Sequence, residues 1–275
     1  MRTVKQLLRF GWEQALSCLF PVVIFASLAL TQIIPLPLLP RYDWLLLICL
    51  VMQWGMVKSG LETPDELKVI TLFHLIGLAL ELFKVHMGSW SYPGEGYSKL
   101  FGVPLYSGFM YASVASYLCQ AWRRLEVELI KWPPFWAVVI LAAAIYLNFF
   151  THHYWIDIRW WLSVLVLIVF RKTWVAYKVG GTRYHMPLAL SFVLIGFFIW
   201  IAENIATFFG AWEYPNQTDA WSLVHLGKVS SWLLLVIVSF LIVATLKRVK
   251  GQSSVHALKK PMGQSQYQSN QEGSV

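Results

Sequence analysis

The sequence predicts an all-α, polytopic membrane helix bundle of about eight transmembrane helices, arranged as a parallel four-plus-four repeat. Three observations predict it. Hydrophobic residues make up 57% of the chain and charged residues only 13%, with a mean hydropathy of +0.57, whereas ordinary soluble domains carry about 25% charged residues. The apolar residues fall in segments long enough to span, or nearly so, and these are continuously apolar rather than alternating, which selects helices over a barrel. Finally, Glu81–Pro93 (ELFKVHMGSWSYP) and Glu203–Pro215 (ENIATFFGAWEYP) both fit E-x6-G-x-W-x-Y-P.

The expected spans are 15–34, 43–58, 69–87, 103–121, 133–150, 158–177, 186–208 and 221–246. A helix needs about 20 residues to cross about 30 Å of hydrocarbon, and the second segment is the shortest. Arg2, Lys5 and Arg9 followed by an apolar run from Ala15 look like a signal peptide. The run reaches about 20 residues and lacks a clear small-x-small cleavage site before Pro35, so it reads as a retained first span. A single transmembrane domain is expected over 1–250, with halves of about 10–125 and 130–250. The Gln- and Ser-rich tail 251–275 is too poor in apolar residues to bury a core and is expected to be disordered and cytoplasmic.

Basic residues set the orientation. With the N-terminus inside, the inner segments hold Arg2, Lys5, Arg9, Lys58, Lys68, Arg123, Arg124, Lys131, Arg171, Lys172, Lys178, Arg183 and the run from Lys247 to Lys260. The outer side holds Arg41, Lys84, Lys99 and Arg159. That bias places both termini in the cytoplasm. It also explains the net charge of +8 as topology, with no nucleic-acid partner. Cys18, Cys49 and Cys119 lie in apolar sequence and form neither a disulfide framework nor a metal pattern. Trp and Tyr gather near segment ends, as in an interfacial belt.

The repeated motif has a mechanical reading. Gly88 and Gly210 suit helix C-termini, and Pro93 and Pro215 keep the helix from resuming. A separation of seven positions from acid to glycine puts each carboxylate about 10 Å below the helix end. Glu81 and Glu203 are acids that fall well inside expected spans, where an ionised side chain is expensive. They are the candidate catalytic residues. Lys84, Trp90, Tyr92, Trp212, Tyr214, His225 and Lys228 are the candidate ligand-binding residues, with Lys84 on the same helical face as Glu81. The alternatives are an acid–base pair that only fixes helix packing and rings that only anchor the interface. No histidine pair has metal-ligand spacing, and adjacent His152 and His153 would diverge on a helix, so no metal and no cofactor is expected.

The segment Glu81–Leu118 (ELFKVHMGSWSYPGEGYSKLFGVPLYSGFMYASVASYL) resembles the signature of the YoaT-like family of bacterial integral membrane proteins, over essentially all of the chain before the tail. The resemblance implies a multi-pass protein of the bacterial cell (inner) membrane and supplies no reaction. Glu81, Trp90, Tyr92 and Pro104 are also similar to positions of membrane carotenoid hydratases and small lycopene-cyclase domains, but Asn204 follows Glu203 where those have a second acid. Three functions stay open. One is an enzyme whose glutamate protonates a lipid or isoprenoid double bond, with the rings steadying a cation. The others are a small-molecule transporter and a structural or partner-binding protein. The lipid bilayer is the expected environment and a lipid or isoprenoid the expected ligand; the sequence names no protein partner.

Overall fold

The computed structural model describes residues 2–34 and 36–258. Among them the chain is mostly helical: α1 (Arg2–Ser17), α2 (Leu19–Ile33), α3 (Arg41–Lys58), α4 (Pro64–His86), α5 (Ser107–Arg124), α6 (Phe135–Thr151), α7 (Arg159–Phe170), α8 (Leu188–Phe208) and α9 (Lys228–Leu258). Two small sheets interrupt them. β1 (Lys99–Leu100) pairs with β2 (Val103–Pro104), and β4 (Trp174–Val179) lies between β3 (Glu128–Ile130) and β5 (Thr182–Pro187), all antiparallel.

Local chemistry accounts for most boundaries. Pro64 opens α4, the Thr63 hydroxyl accepts the Glu66 N–H at 3.3 Å, and Glu66 Oε2 accepts the Thr63 N–H at 3.0 Å, a reciprocal capping box. The first expected span is not one straight helix, because the chain bends by 69° between α1 and α2. Pro21 supplies the reason: its ring would clash with the Ser17 carbonyl four residues back, so the helix breaks at Cys18.

The expected span 158–177 is also corrected. Its helix ends at Phe170, and residues 174–187 form the β4–β5 hairpin. Gly180 and Gly181 turn it with φ of +57° and +85°, the paired left-handed geometry that tight hairpins need. Trp174, Val175, Tyr177 and Val179 are residues that suit a pleated surface. The all-α expectation therefore becomes mostly α with a three-stranded sheet at one end. Likewise α5 begins at Ser107, after the β1–β2 turn, and α9 begins at Lys228 rather than 221.

Helices occur at all the expected segments, yet only some are long and apolar enough to cross a bilayer. Among the described residues these are α4, α8 and α9 through Thr245, with the bent α1–α2 pair as a fourth; α6 and α7 are shorter. At 1.5 Å per residue, α7 reaches about 18 Å. Helix α9 continues to Leu258, and the rest of the expected tail lies outside the described residues.

The core runs through the bundle along Phe20, Leu28, Tyr42, Leu80, Tyr106 and Phe192. Helix α5 packs most extensively on α4, because its buried residues include Gly108, Ala112, Ala115 and Ser116, small enough to let backbones approach. Two ends can be distinguished. The hairpin end carries β3–β5 and α1, where Phe10 meets Tyr177 with ring centroids 5.4 Å apart. The motif end carries the C-termini of α4 and α8.

Candidate functional site

At the motif end, α4 and α8 stop in the same way. Gly88 and Gly210 take φ of +67° and +62°. The Ser89 N–H bonds the Lys84 carbonyl at 2.9 Å and the Ala211 N–H bonds the Ala206 carbonyl at 2.9 Å, the six-to-one bond of a left-handed cap. The two released strands then pair with each other. Ser91 and Glu213, the residues between Trp and Tyr of each motif, exchange two backbone hydrogen bonds of 3.0 Å.

This pairing turns the rings back over the acids. Glu81 Oε2 accepts from Trp90 Nε1 at 2.7 Å and from the Tyr92 hydroxyl at 2.8 Å, while Oε1 accepts from the Tyr111 hydroxyl at 2.8 Å. Glu203 Oε1 accepts from the Tyr214 hydroxyl, and its Oε2 accepts from Trp232 Nε1 at 2.5 Å. Tyr111 and Trp232 stand at the same place in the helices that follow the motifs, four residues after Ser107 of α5 and Lys228 of α9. Both acids are buried, 4% and 3% exposed, so these donors supply what water would.

Several expectations about partners need correction. Among the described residues neither acid forms an ion pair. Lys84 does not reach Glu81. Its Nζ donates to the Phe149 carbonyl at 3.3 Å, lies 2.7 Å from His153 Nε2 and 3.4 Å from His152 Nε2, and sits 4.2 Å from the Phe149 ring centroid. Lys228 Nζ lies 4.5 Å from the Tyr214 ring centroid and 5.6 Å from that of Trp90, so it touches one ring of each motif. His225 is exposed, its Nδ1 accepts the Gly227 N–H at 3.0 Å, and it stays outside the cluster. Trp212 is buried, but the indole on Glu203 is that of Trp232.

His152 and His153 do not diverge. Helix α6 ends at Thr151, the chain turns, and the two rings lie 4.1 Å apart. Burial and then the Lys84 charge push His152 down, and the same causes push His153 down to about 4. Burial would raise the Asp157 carboxyl, but hydrogen bonds from Arg159 outweigh it and hold the group at about 2. Arg159 bonds Asp157 Oδ2 at 2.5 Å and reaches the Ser231 hydroxyl at 3.0 Å.

Sequence reasoning missed Arg41. Its guanidinium donates to the carbonyls of Phe209 at 2.6 Å and Gly210 at 2.8 Å, closing the end of α8. The sequence marked Arg41 only as an outer-side basic residue, and nothing in its neighbours names the carbonyls contacted.

These groups surround one end of a cavity of about 1060 Å³. Glu81, Lys84, Trp90, Glu203, Trp212, Tyr214 and Lys228 line it, together with His152, His153 and Arg159. Its walls are apolar side chains such as Leu80, Ile145, Leu194, Ile199 and Val238, and it extends to Phe10, Tyr177 and Met186 at the hairpin end. Tyr92 is packed behind it and His225 lies outside it.

A family model described as "Protein of unknown function (DUF817)" matches residues 6–240. The chain belongs to the DUF817 family. Within reach of that family, an "Uncharacterized protein YoaT" of Bacillus subtilis (strain 168) is 83% identical over 257 residues, covering 94% of this chain and 97% of that protein. These matches show the uncharacterised family and not the likeness to carotenoid hydratase or lycopene-cyclase domains. A crystal structure of a cross-linked MvINS trimer aligns with 73% of this chain and 98% of its own at 12% identity, with a TM-score of 0.46. At that score the likeness carries no argument.

Proposed function

We propose that this chain is a multi-pass protein of the bacterial cell membrane that binds a lipid or isoprenoid in its cavity. In this reading α2 to α9 are eight crossing segments in two related halves, with both termini cytoplasmic. The matched motif caps, the Ser91–Glu213 pairing and the equivalent places of Tyr111 and Trp232 support the halves. Reporter fusions at each terminus test the orientation: activity of a periplasm-dependent reporter at either end would overturn it.

The observation that carries the ligand is the cavity, about 1060 Å³ with apolar walls and polar groups gathered at one end. That volume is at the upper end of small-molecule sites, about 300–1,000 Å³. Its polarity matches an amphiphile with its headgroup at the motif end and its tail towards the hairpin end. The acids support binding more than proton transfer. An indole N–H only donates, so Trp90 and Trp232 each require an acceptor oxygen on their glutamate. The carboxylates hold the rings, and the rings face the cavity.

The test is extraction. Purified in mild detergent, the protein carries about one amphiphile per chain, identified by mass spectrometry, distinct from the bulk lipid mixture. Ala202→Phe, which fills the cavity from α8, removes it while the melting temperature is maintained. A purified protein that holds only the bulk membrane lipids would sink the reading.

A further inference from the structure

Two cations at the cavity's polar end, Lys84 and Lys228, form no ion pair among the described residues. Lys84, Arg159 and Lys228 all line the cavity. Glu81 and Glu203 lie beside them, but their oxygens are committed to indole and phenol donors. Asp157 is bound by Arg159. Among the described residues no carboxylate comes within 4.0 Å of Lys84 or Lys228. Lys228 Nζ lies over the Tyr214 and Trp90 rings, and Lys84 Nζ meets the Phe149 carbonyl, the Phe83 and Phe149 rings and two histidines. An ammonium group beside apolar walls is costly without a close counter-charge, and Glu203 and Asp157 act on Lys228 and Lys84 only from beyond ion-pair distance.

The backbone points the same way. Arg159 is the first residue of α7 and Lys228 the first residue of α9. The start of a helix is positive and disfavours cations, yet two helices place one there against the same cavity. Asp157 already serves the α7 start, accepting the Arg159 N–H at 3.0 Å and pairing its guanidinium. An anion in the cavity would do the same for Lys228 and the α9 start, with the Arg159 Nη1 and the Ser231 hydroxyl 3.0 Å apart beside it.

We propose that the polar end of the cavity binds the phosphate headgroup of an anionic lipid, held by Lys84, Arg159 and Lys228. This rests on the amphiphile reading above. A phosphate offers several acceptor oxygens at one centre, which suits an Arg and two Lys approaching from α4, α7 and α9. The tail then lies along the apolar wall.

The experiment uses the full-length protein, stripped of lipid in a nonionic detergent, and three probes: dioleoyl phosphatidic acid, tail-matched dioleoylglycerol, and inorganic phosphate. The expected result is phosphatidic acid binding at least about tenfold tighter than dioleoylglycerol, with inorganic phosphate weaker than both. Lys228→Gln lowers the ratio of the two lipid affinities, and a variant that fails to fold leaves the three-probe comparison on the wild type decisive. Equal binding of the two lipids overturns the headgroup assignment and leaves the cavity reading standing. Inorganic phosphate binding as tightly as phosphatidic acid shows a site for a free oxyanion and overturns the lipid part. Binding of none of the three overturns both.

Discussion

Glu81 is the hub of the motif end, and its removal has a calculable cost. In Glu81→Leu the Trp90 indole and the Tyr92 and Tyr111 hydroxyls lose their acceptor together. All three surround a carboxylate that is only 4% exposed, so water does not readily take its place. An unsatisfied buried donor costs about 1–3 kcal/mol, and three of them cost about 3–9 kcal/mol, a large part of a typical stability of about 5–15 kcal/mol. Glu81→Gln is the control. Its carbonyl can face Trp90 and Tyr92, which share Oε2, and its amide can face Tyr111, whose hydroxyl can turn to accept. That swap should cost about 1 kcal/mol. Thermal unfolding in detergent, followed by tryptophan fluorescence, should place Glu81→Leu at least about 6 °C below wild type, at about 2–4 °C per kcal/mol, with Glu81→Gln between them. If the Leu variant melted with wild type, or no lower than the Gln variant, the donors would not depend on the acid and the reasoning would fail.

Other perturbations test the elements around this hub. A Cβ at Gly77 would overlap the Tyr111 side chain, so Gly77→Ala should cost about 1–3 kcal/mol by overpacking; an equally stable variant would contradict the packing of α4 on α5. Gly210 takes φ of +62° and a Cβ there would meet Arg41 Nη1 at an ordinary 3.5 Å. Gly210→Ala should therefore cost about 1–2 kcal/mol through backbone strain, and Gly210→Asn less, a ranking that unfolding curves can reverse. His153 is depressed to about 4 from its ordinary 6.5, so the unfolded chain takes up a proton before the folded one does. Its contribution to stability is whole above about pH 6.5 and declines as pH falls towards 4. His153→Gln should flatten the melting temperature across that window, and an unchanged slope would show that His153 is not the group responsible.

Much of the motif end was legible because its chemistry is local. Gly88 and Gly210 stop helices through a backbone preference visible in the residue type. The break at Cys18 was also legible in Pro21, although the length of the apolar run concealed it. The β4–β5 hairpin was missed for a related reason. The mostly apolar residues 158–177 looked like one span despite Arg171 and Lys172, and hydropathy does not distinguish strand from helix where the Gly180–Gly181 turn does. Lys84 went to the wrong partner. Spacing of three residues places it near the Glu81 face of α4, but the turn after α6 brings His152 and His153 to its Nζ.

The sequence by itself determined that this is an apolar, helical chain with two copies of one acid–glycine–aromatic motif, since composition, helix stops and spacing are properties of neighbouring residues. Tertiary structure decided what the copies do for each other. The Ser91–Glu213 pairing joins residues 122 positions apart, Trp232 rather than Trp212 meets Glu203, and three cations from α4, α7 and α9 face one cavity. The physical reason is that hydrogen bonds and ion pairs are satisfied by whatever is nearest in space. In a buried site, the nearest group is chosen by how helices pack and where turns release the chain, and no local pattern records that choice.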